Sequence, residues 1–196
     1  SLVVVIGLGA LGLTSVAMAK QAGAEVFAVS DHAKPRDLAE EAYRARGAYP
    51  RSELEALFAD MDAGSRAGAD VVILTTNGWG DFRLAQEIAG RHAVIACLGF
   101  PGRSQSPGDF NPLAAEHFYN KQLRIEAVGM SPLKNDARGF TRFNMRDNLT
   151  YIARAMERGL PDPKPIVSGI YPASELERAY VDLEARNDDA VTFLLD

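Results

Sequence analysis

One cysteine in 196 residues leaves no internal disulfide, which fits a reducing compartment. Beside that single thiol stand only three histidines, His32, His92 and His117, widely spaced. No cluster of the kind a zinc site needs can be assembled from them, so no metal is expected in this chain. Positive charge is also short: 21 Lys and Arg face 26 Asp and Glu, a net charge of −5. That balance argues against nucleic acid or a membrane surface as the main partner. No apolar run reaches bilayer length, and the first apolar segment lacks the basic flank of a signal peptide, so a cytoplasmic protein is expected. An initiator methionine and any lead-in are missing too. Ser1 stands at the first core strand, and the expectation is that the natural chain is longer or that a piece has been cut from it.

What is present is an ordinary globular composition, 47% hydrophobic, long enough for one well-cored domain with a small appendage. The most informative stretch is the first. An apolar strand, Leu2 to Ile6, runs into Gly7-x-Gly9-x-x-Gly12, followed by an amphipathic segment and a second strand, Glu25 to Val29, ending beside Asp31. Gly7 allows the tight turn, Gly9 lets backbone amides approach a pyrophosphate, and Gly12 lets the helix lie close on the sheet. The helix N-terminus then offers unpaired N–H groups to phosphates. Alone the glycine pattern is weak; between a strand and a helix, with a second strand at this spacing, it points to a dinucleotide.

The rest of the chain alternates. A helix over 10–22, with Leu11, Val16 and Ala19 facing inward, closes at Gly23. A helical stretch runs from Arg36 to Arg46, and another covers 52–61, with Ser52 and Glu55 at capping-box spacing. A buried strand, Ala69 to Thr75, leads through Asn77-Gly78 into a helix from Asp81 to Ala89, stopped by Gly90. Another buried strand, Ala93 to Leu98, breaks at Gly99-Phe100-Pro101-Gly102; residues 102–112 form a loop, and Lys121 to Val128 is a further strand. This pattern implies an α/β fold with a doubly wound parallel sheet of about six strands. After Gly129 the texture changes to a helix-strand-helix-strand tail: a helix over 144–158, a proline-punctuated link, a short strand, a helix over 174–183 capped by Ser174 and Glu177, and a strand over 190–195. The division expected is a dinucleotide-binding domain, 1–129, and a C-terminal segment, 130–196, that packs on the sheet or on a lobe that is absent.

Taken in order, VVVIGLGALG, GAEVFAVS, GADVVILTT, VIACLGFPGR, KQLRIEAVGMS and the closing IVSGIYPASELERAYVDL and AVTFLLD resemble the second half of a medium-chain (zinc-type alcohol dehydrogenase-like) dehydrogenase/reductase. The resemblance covers the whole chain and implies a Rossmann fold. In that family an N-terminal barrel lobe supplies the catalytic zinc ligands and much of the substrate pocket. It is missing here, so no catalytic residue is carried over. The expected cofactor contacts are Gly7, Leu8, Gly9, Ala10, Leu11 and Gly12 at the glycine turn, Thr75, Thr76 and Asn77 at one strand end, and Leu98, Gly99 and Phe100 at the next. The last three would line the nicotinamide by resemblance.

The end of the second strand bears on NAD against NADP, since an acid there accepts both ribose hydroxyls while a small residue with nearby cations admits a 2′-phosphate. Ser30 falls at the acid position, with Asp31 one residue later and His32, Lys34 and Arg36 following. Ser30, Lys34 and Arg36 favour NADP, and Asp31 favours NAD. The basic residues also suit a plain solvated loop. NADP is preferred, with NAD left open.

Other polar residues read more quietly. Trp79 could cap the nicotinamide end or pack a loop. Cys97 reads as an inert buried thiol and His92 as a surface residue after a helix stop. His117 packs against Phe118 or faces solvent, and Asn144, Arg146 and Asn148 serve capping and solvation. The function expected is the nicotinamide-binding part of an oxidoreductase of the alcohol dehydrogenase or carbonyl/enoyl reductase type, acting on a small-molecule substrate in the full-length protein. The alternative is a non-catalytic NAD(P)-binding redox sensor. A short-chain dehydrogenase would need Tyr-x-x-x-Lys, and none of the six tyrosines has a lysine four residues on. A methyltransferase is disfavoured by the glycine spacing. The strand over 121–128, as the last of its sheet, would expose an edge for pairing with a second copy, as it does in the resembling family, so a homodimer is expected.

Overall fold

In a computed structural model, residues 1–62, 68–103, 105–135, 143–185 and 190–196 are described. Six parallel strands form the sheet: β1 (Leu2–Ile6), β2 (Glu25–Val29), β3 (Gly47–Tyr49), β4 (Ala69–Leu74), β5 (Ala89–Cys97) and β6 (Arg124–Ala127). Their spatial order is β3-β2-β1-β4-β5-β6, with every pair parallel. That is the doubly wound order in which two halves diverge from a central strand. β1, LVVVI, is buried throughout. Such a run, without polar alternation, is what a strand covered on both faces requires.

Alternate residues of β1 feed two cores. Leu2, Val4 and Ile6 join Phe27, Val29, Val72, Leu74 and Ile95 against α3 (Leu54–Asp62) and α4 (Trp79–Ile88). Val3 and Val5 join Val26 and Ala28 against α1 (Ala10–Gln21) and the segment α2 (Ala33–Asp37), which widens into a π-helical turn over Leu38–Ala42. The inward stripe of α1 is Leu13, Val16 and Ala17, with Ala19 partly buried. Leu11 departs from expectation. It is 60% exposed, because the first turn of α1 projects past the sheet edge into a cleft.

Several boundaries also differ. The helix expected to end near Gly47 stops earlier, at the Tyr43–Arg44 turn where Arg44 has φ 58°, and leaves room for β3. Three residues are too few to show a strand period. Ser52 lies inside a 3₁₀ turn (Arg51–Glu53) and makes no cap, and Ser174 likewise falls inside the 3₁₀ turn Ala173–Glu175. Gly90 does not stop α4 but sits within β5, which begins at Ala89. The role expected of a glycine is filled by Lys121, whose Nζ donates to the carbonyls of Gln86, Glu87 and Ala89 at 2.7, 3.0 and 2.8 Å. Lys121 therefore belongs to the turn before β6, with Gln122 at φ 53°, and β6 is shorter than expected. His92 consequently lies within β5, at φ 62° beside a register shift, and remains exposed.

Beyond β6 the tail runs α5 (Met145–Glu157), β7 (Val167–Tyr171), α6 (Leu176–Glu184) and β8 (Thr192–Leu195). β7 and β8 pair in parallel as a separate two-stranded sheet. Asn144 caps α5: its Oδ1 accepts from the Asp147 N–H at 2.8 Å, as expected. The tail meets the sheet domain through Ile166, buried in the core on the α1 face, and through the Tyr43 hydroxyl, which donates to the Asp162 carbonyl at 3.1 Å. No helix among the described residues is long and apolar enough to cross a membrane.

The three bonds from Lys121 to the end of α4 place a cation where the helix dipole is negative. Lys121→Met keeps the apolar stem and removes the cap. It should lower unfolding stability by about 1–2 kcal/mol, measured by urea denaturation.

Candidate functional site

At the C-terminal edge of the sheet, the divergence of β1 and β4 leaves a cleft of about 570 Å³. Ligands of open α/β sheets bind at such a switch point. Its floor is the turn from β1 into α1. Gly7 has φ 90°, and a Cβ there would lie 2.5 Å from Thr75 Oγ1. A Cβ on Gly12 would lie 1.8 Å from the Gly7 carbonyl oxygen, so the helix rests backbone to backbone on the turn. Gly9 is the opposite case, with nothing within 4 Å of its would-be Cβ. Two glycines are required by the protein's own packing, and the third faces open space.

Thr75 locks this turn from the neighbouring strand. Its N–H donates to the Ile6 carbonyl at 3.0 Å, and its hydroxyl reaches the Ile6 and Gly7 carbonyls, each at 3.1 Å. The N-terminus of α1 carries no side-chain cap and no acid in its first turn. Its first N–H groups therefore lack helix partners while the dipole's positive end opens on the cleft. Thr76 Oγ1 is buried at the same place without a protein partner.

Of the expected site residues, Gly7, Leu8, Gly9, Ala10, Leu11, Gly12, Ser30, Thr75 and Thr76 come together around this cleft. Ser30 is 4% exposed, and its hydroxyl accepts from the His32 N–H at 3.3 Å. Asp31, Lys34, Arg36, Asn77, Leu98, Gly99 and Phe100 are not among its lining residues. Each has a place nonetheless. Arg36 donates to the Ser30 carbonyl at 2.9 Å, Lys34 is exposed, and Asp31 is bonded to Arg51. Asn77 Oδ1 accepts the Phe100 N–H at 2.8 Å, joining the loops after β4 and β5. Gly99 lies so close to the Thr76 carbonyl that a Cβ would be 2.2 Å away. Leu98 donates its N–H to the Leu74 carbonyl at 2.8 Å.

The lining also includes His32, Pro35, Arg51, Leu183, Ala190 and Val191. Arg51 follows β3, the strand missed in sequence, so its nearness to Asp31 had no signal there. Leu183, Ala190 and Val191 arrive from the tail, far along the chain. Trp79 packs a loop: its ring lies edge-on to Phe82 and Phe110, and its Nε1 donates to the Gln105 carbonyl at 3.2 Å. Ser104, within that loop, lies outside the described residues. Cys97 is partly buried, and burial pushes its thiol pKa up. His117 lies beside Phe110, the rings tilted by 56° with centres 6.1 Å apart. Among the described residues no group of His, Cys, Asp and Glu could hold a metal ion.

No family model and no curated protein sequence matches the chain. Solved structures do. The benzyl alcohol dehydrogenase of Acinetobacter calcoaceticus superposes with a TM-score of 0.77 at 19% identity, over 100% of this chain and 49% of that one. A short chain alcohol dehydrogenase from E. coli CFT073, complexed with cofactor NADH, gives 0.75 at 19% identity over 98% and 51%. The 2R,3R-butanediol dehydrogenase of Bacillus subtilis gives 0.74 at 17% over 98% and 50%. The fold is shared with half of each of these dehydrogenases. The chain spans about half their length, and at these identities the likeness concerns the fold.

The glycines make separable predictions. Gly12→Ala should destabilise the fold by about 1–3 kcal/mol through the clash with Gly7. Gly9→Ser, an open position with a good capping residue, should change stability by no more than about 0.5 kcal/mol. Chemical denaturation of both variants measures the contrast.

Proposed function

We propose that this chain is the cofactor-binding half of a nicotinamide-dependent oxidoreductase of the medium-chain, zinc-type alcohol dehydrogenase-like kind. The single observation that carries the reading is the open cradle at Gly9, set against an uncapped helix N-terminus. The residues fit a dinucleotide. N–H groups of the first turn of α1 would hold the pyrophosphate, helped by the helix dipole. The unpartnered hydroxyl of Thr76 supplies a further polar contact. Bound there, a nicotinamide cofactor would supply the hydride chemistry, and these residues would hold and orient it. The matched dehydrogenases, one of them complexed with NADH, support this assignment. Substrate pocket and catalytic groups belong, in this reading, to a lobe outside the chain. Residues 1–129 then act as the dinucleotide-binding domain, and 130–196 as a segment packing on it and on that lobe.

NADP is preferred over NAD. Ser30 stands where an acid would accept ribose hydroxyls, His32 lines the cleft beside it, and Asp31 does not line the cleft. The partly buried single thiol is in keeping with a cytoplasmic protein.

We also infer a homodimer through β6. All four of its residues are exposed at the sheet's end. Val128 turns its N–H inward to the Cys97 carbonyl at 2.9 Å, so the backbone groups of Ile125 and Ala127 face outward. Ala127→Pro removes an outward donor without disturbing the bonds to β5. It should convert a dimer to a monomer by light scattering, and an unchanged mass would exclude this edge.

The cofactor reading is tested with Gly9→Asp. Aspartate is a good N-cap residue and its Cβ would meet nothing within 4 Å at this position, so thermal stability should hold. Its charge in the pyrophosphate path should abolish binding of NADPH and NADH by calorimetry. Unreduced affinity would remove the cradle as the site.

A further inference from the structure

Arg51 is the charged residue of the cleft with no role so far. In the pairing of β2 and β3, Val29 lies opposite Tyr49. Asp31 and Arg51 therefore stand equally far beyond the two strand tips, side by side at the rim of the cleft. Two carboxylates share the guanidinium. Nε and one terminal nitrogen donate to both oxygens of Asp81, at 2.7 and 2.8 Å, in the fork geometry that fixes an arginine most firmly. The other terminal nitrogen donates to one oxygen of Asp31 at 2.7 Å, and the Arg51 backbone N–H donates to the other at 2.9 Å.

Asp81 is thus the anchor, its side chain only 13% exposed in the first turn of α4. Asp31 is the group being held, 58% exposed at the rim. Donors of one residue occupy both of its oxygens, and it is absent from the cleft lining while its neighbours Ser30 and His32 are present. The backbone N–H of Arg51 above all, with the guanidinium beside it, holds the Asp31 carboxyl below the usual aspartate range, so it is ionised at neutral pH. An ionised carboxylate left unpaired here would accept ribose hydroxyls and repel a 2′-phosphate.

We propose that Arg51 is a positioning residue for cofactor choice: by tying Asp31 at the rim it withdraws that carboxylate from the ribose, leaving Ser30 and His32 to face a 2′-phosphate. The proposal rests on the NADP reading above. Arg51 acts through Asp31, so its removal should matter only while Asp31 is present.

The test is a cycle of Arg51→Met, Asp31→Asn and the double variant, with dissociation constants for NADPH and NADH from calorimetry and thermal unfolding as a check on folding. Arg51→Met should move the NADPH-to-NADH affinity ratio toward NADH by about tenfold or more. Adding Asp31→Asn should return it to within about threefold of the wild-type ratio. Arg51→Lys, which keeps the charge but loses the fork, should retain most of the preference. If Arg51→Met weakens both cofactors equally, or leaves the ratio unmoved, or is not rescued by Asp31→Asn, Arg51 does not set the choice. A wild-type chain that binds NADH better than NADPH overturns the NADP reading and this proposal together. One that binds neither removes the cofactor site itself.

Discussion

The close approach of Gly12 to the Gly7 carbonyl is the contact on which the rest of the structure depends. With no side chain between them, α1 lies directly against the β1 turn, and its N-terminus is aimed along the sheet's C-terminal edge. Any Cβ at Gly12 would push the helix outward and take the first-turn N–H groups with it. Thr75 then closes the arrangement from β4, whose hydroxyl and amide hold the end of β1. A preformed set of oriented N–H dipoles results, and such a set needs little reorganisation to receive an anion.

Elsewhere, long cationic side chains do what short-range sequence signals suggest glycines or capping residues would do. Lys121, more than thirty residues beyond α4, satisfies the carbonyls at its end, so the chain passes from Ile88 into β5 without a loop. Arg51 joins the tips of β2 and β3 to the start of α4 through two carboxylates. Both groups are half-buried, so their charges are less screened than those of surface pairs. The first stabilises a helix end away from the cleft, and the second stands in the cleft lining itself.

The tail has a different character. It touches the sheet domain through Ile166, Val191, the Tyr43–Asp162 bond and the cleft wall, while Leu149, Tyr151, Leu160, Ile170, Tyr180 and Val181 remain largely exposed. The chain spans about half the length of the dehydrogenases that share its fold.

By itself the sequence determined whatever depends on neighbours along the chain. The runs LVVVI and ADVVIL declared parallel strands; the first is buried throughout, while the second leaves Asp70 exposed and Val71 and Ile73 partly buried. The glycine spacing declared the turn, since only glycine tolerates the φ of position 7 and the contact at position 12. Asn144 declared the start of α5. Tertiary structure alone decided the remainder. β3 exists because β2 offers it an edge, the end of α4 is set by a distant lysine, and Leu11 faces the cleft because the sheet ends beneath it. The pairing of Arg51 with Asp31 and Asp81, and the arrival of Leu183, Ala190 and Val191 at the cleft, belong to the same class. Periodicity and capping are short-range and can be read from a few residues. The Arg51 salt bridges and the tail's share of the cleft wall join residues twenty or more positions apart, and no local pattern records which of them meet.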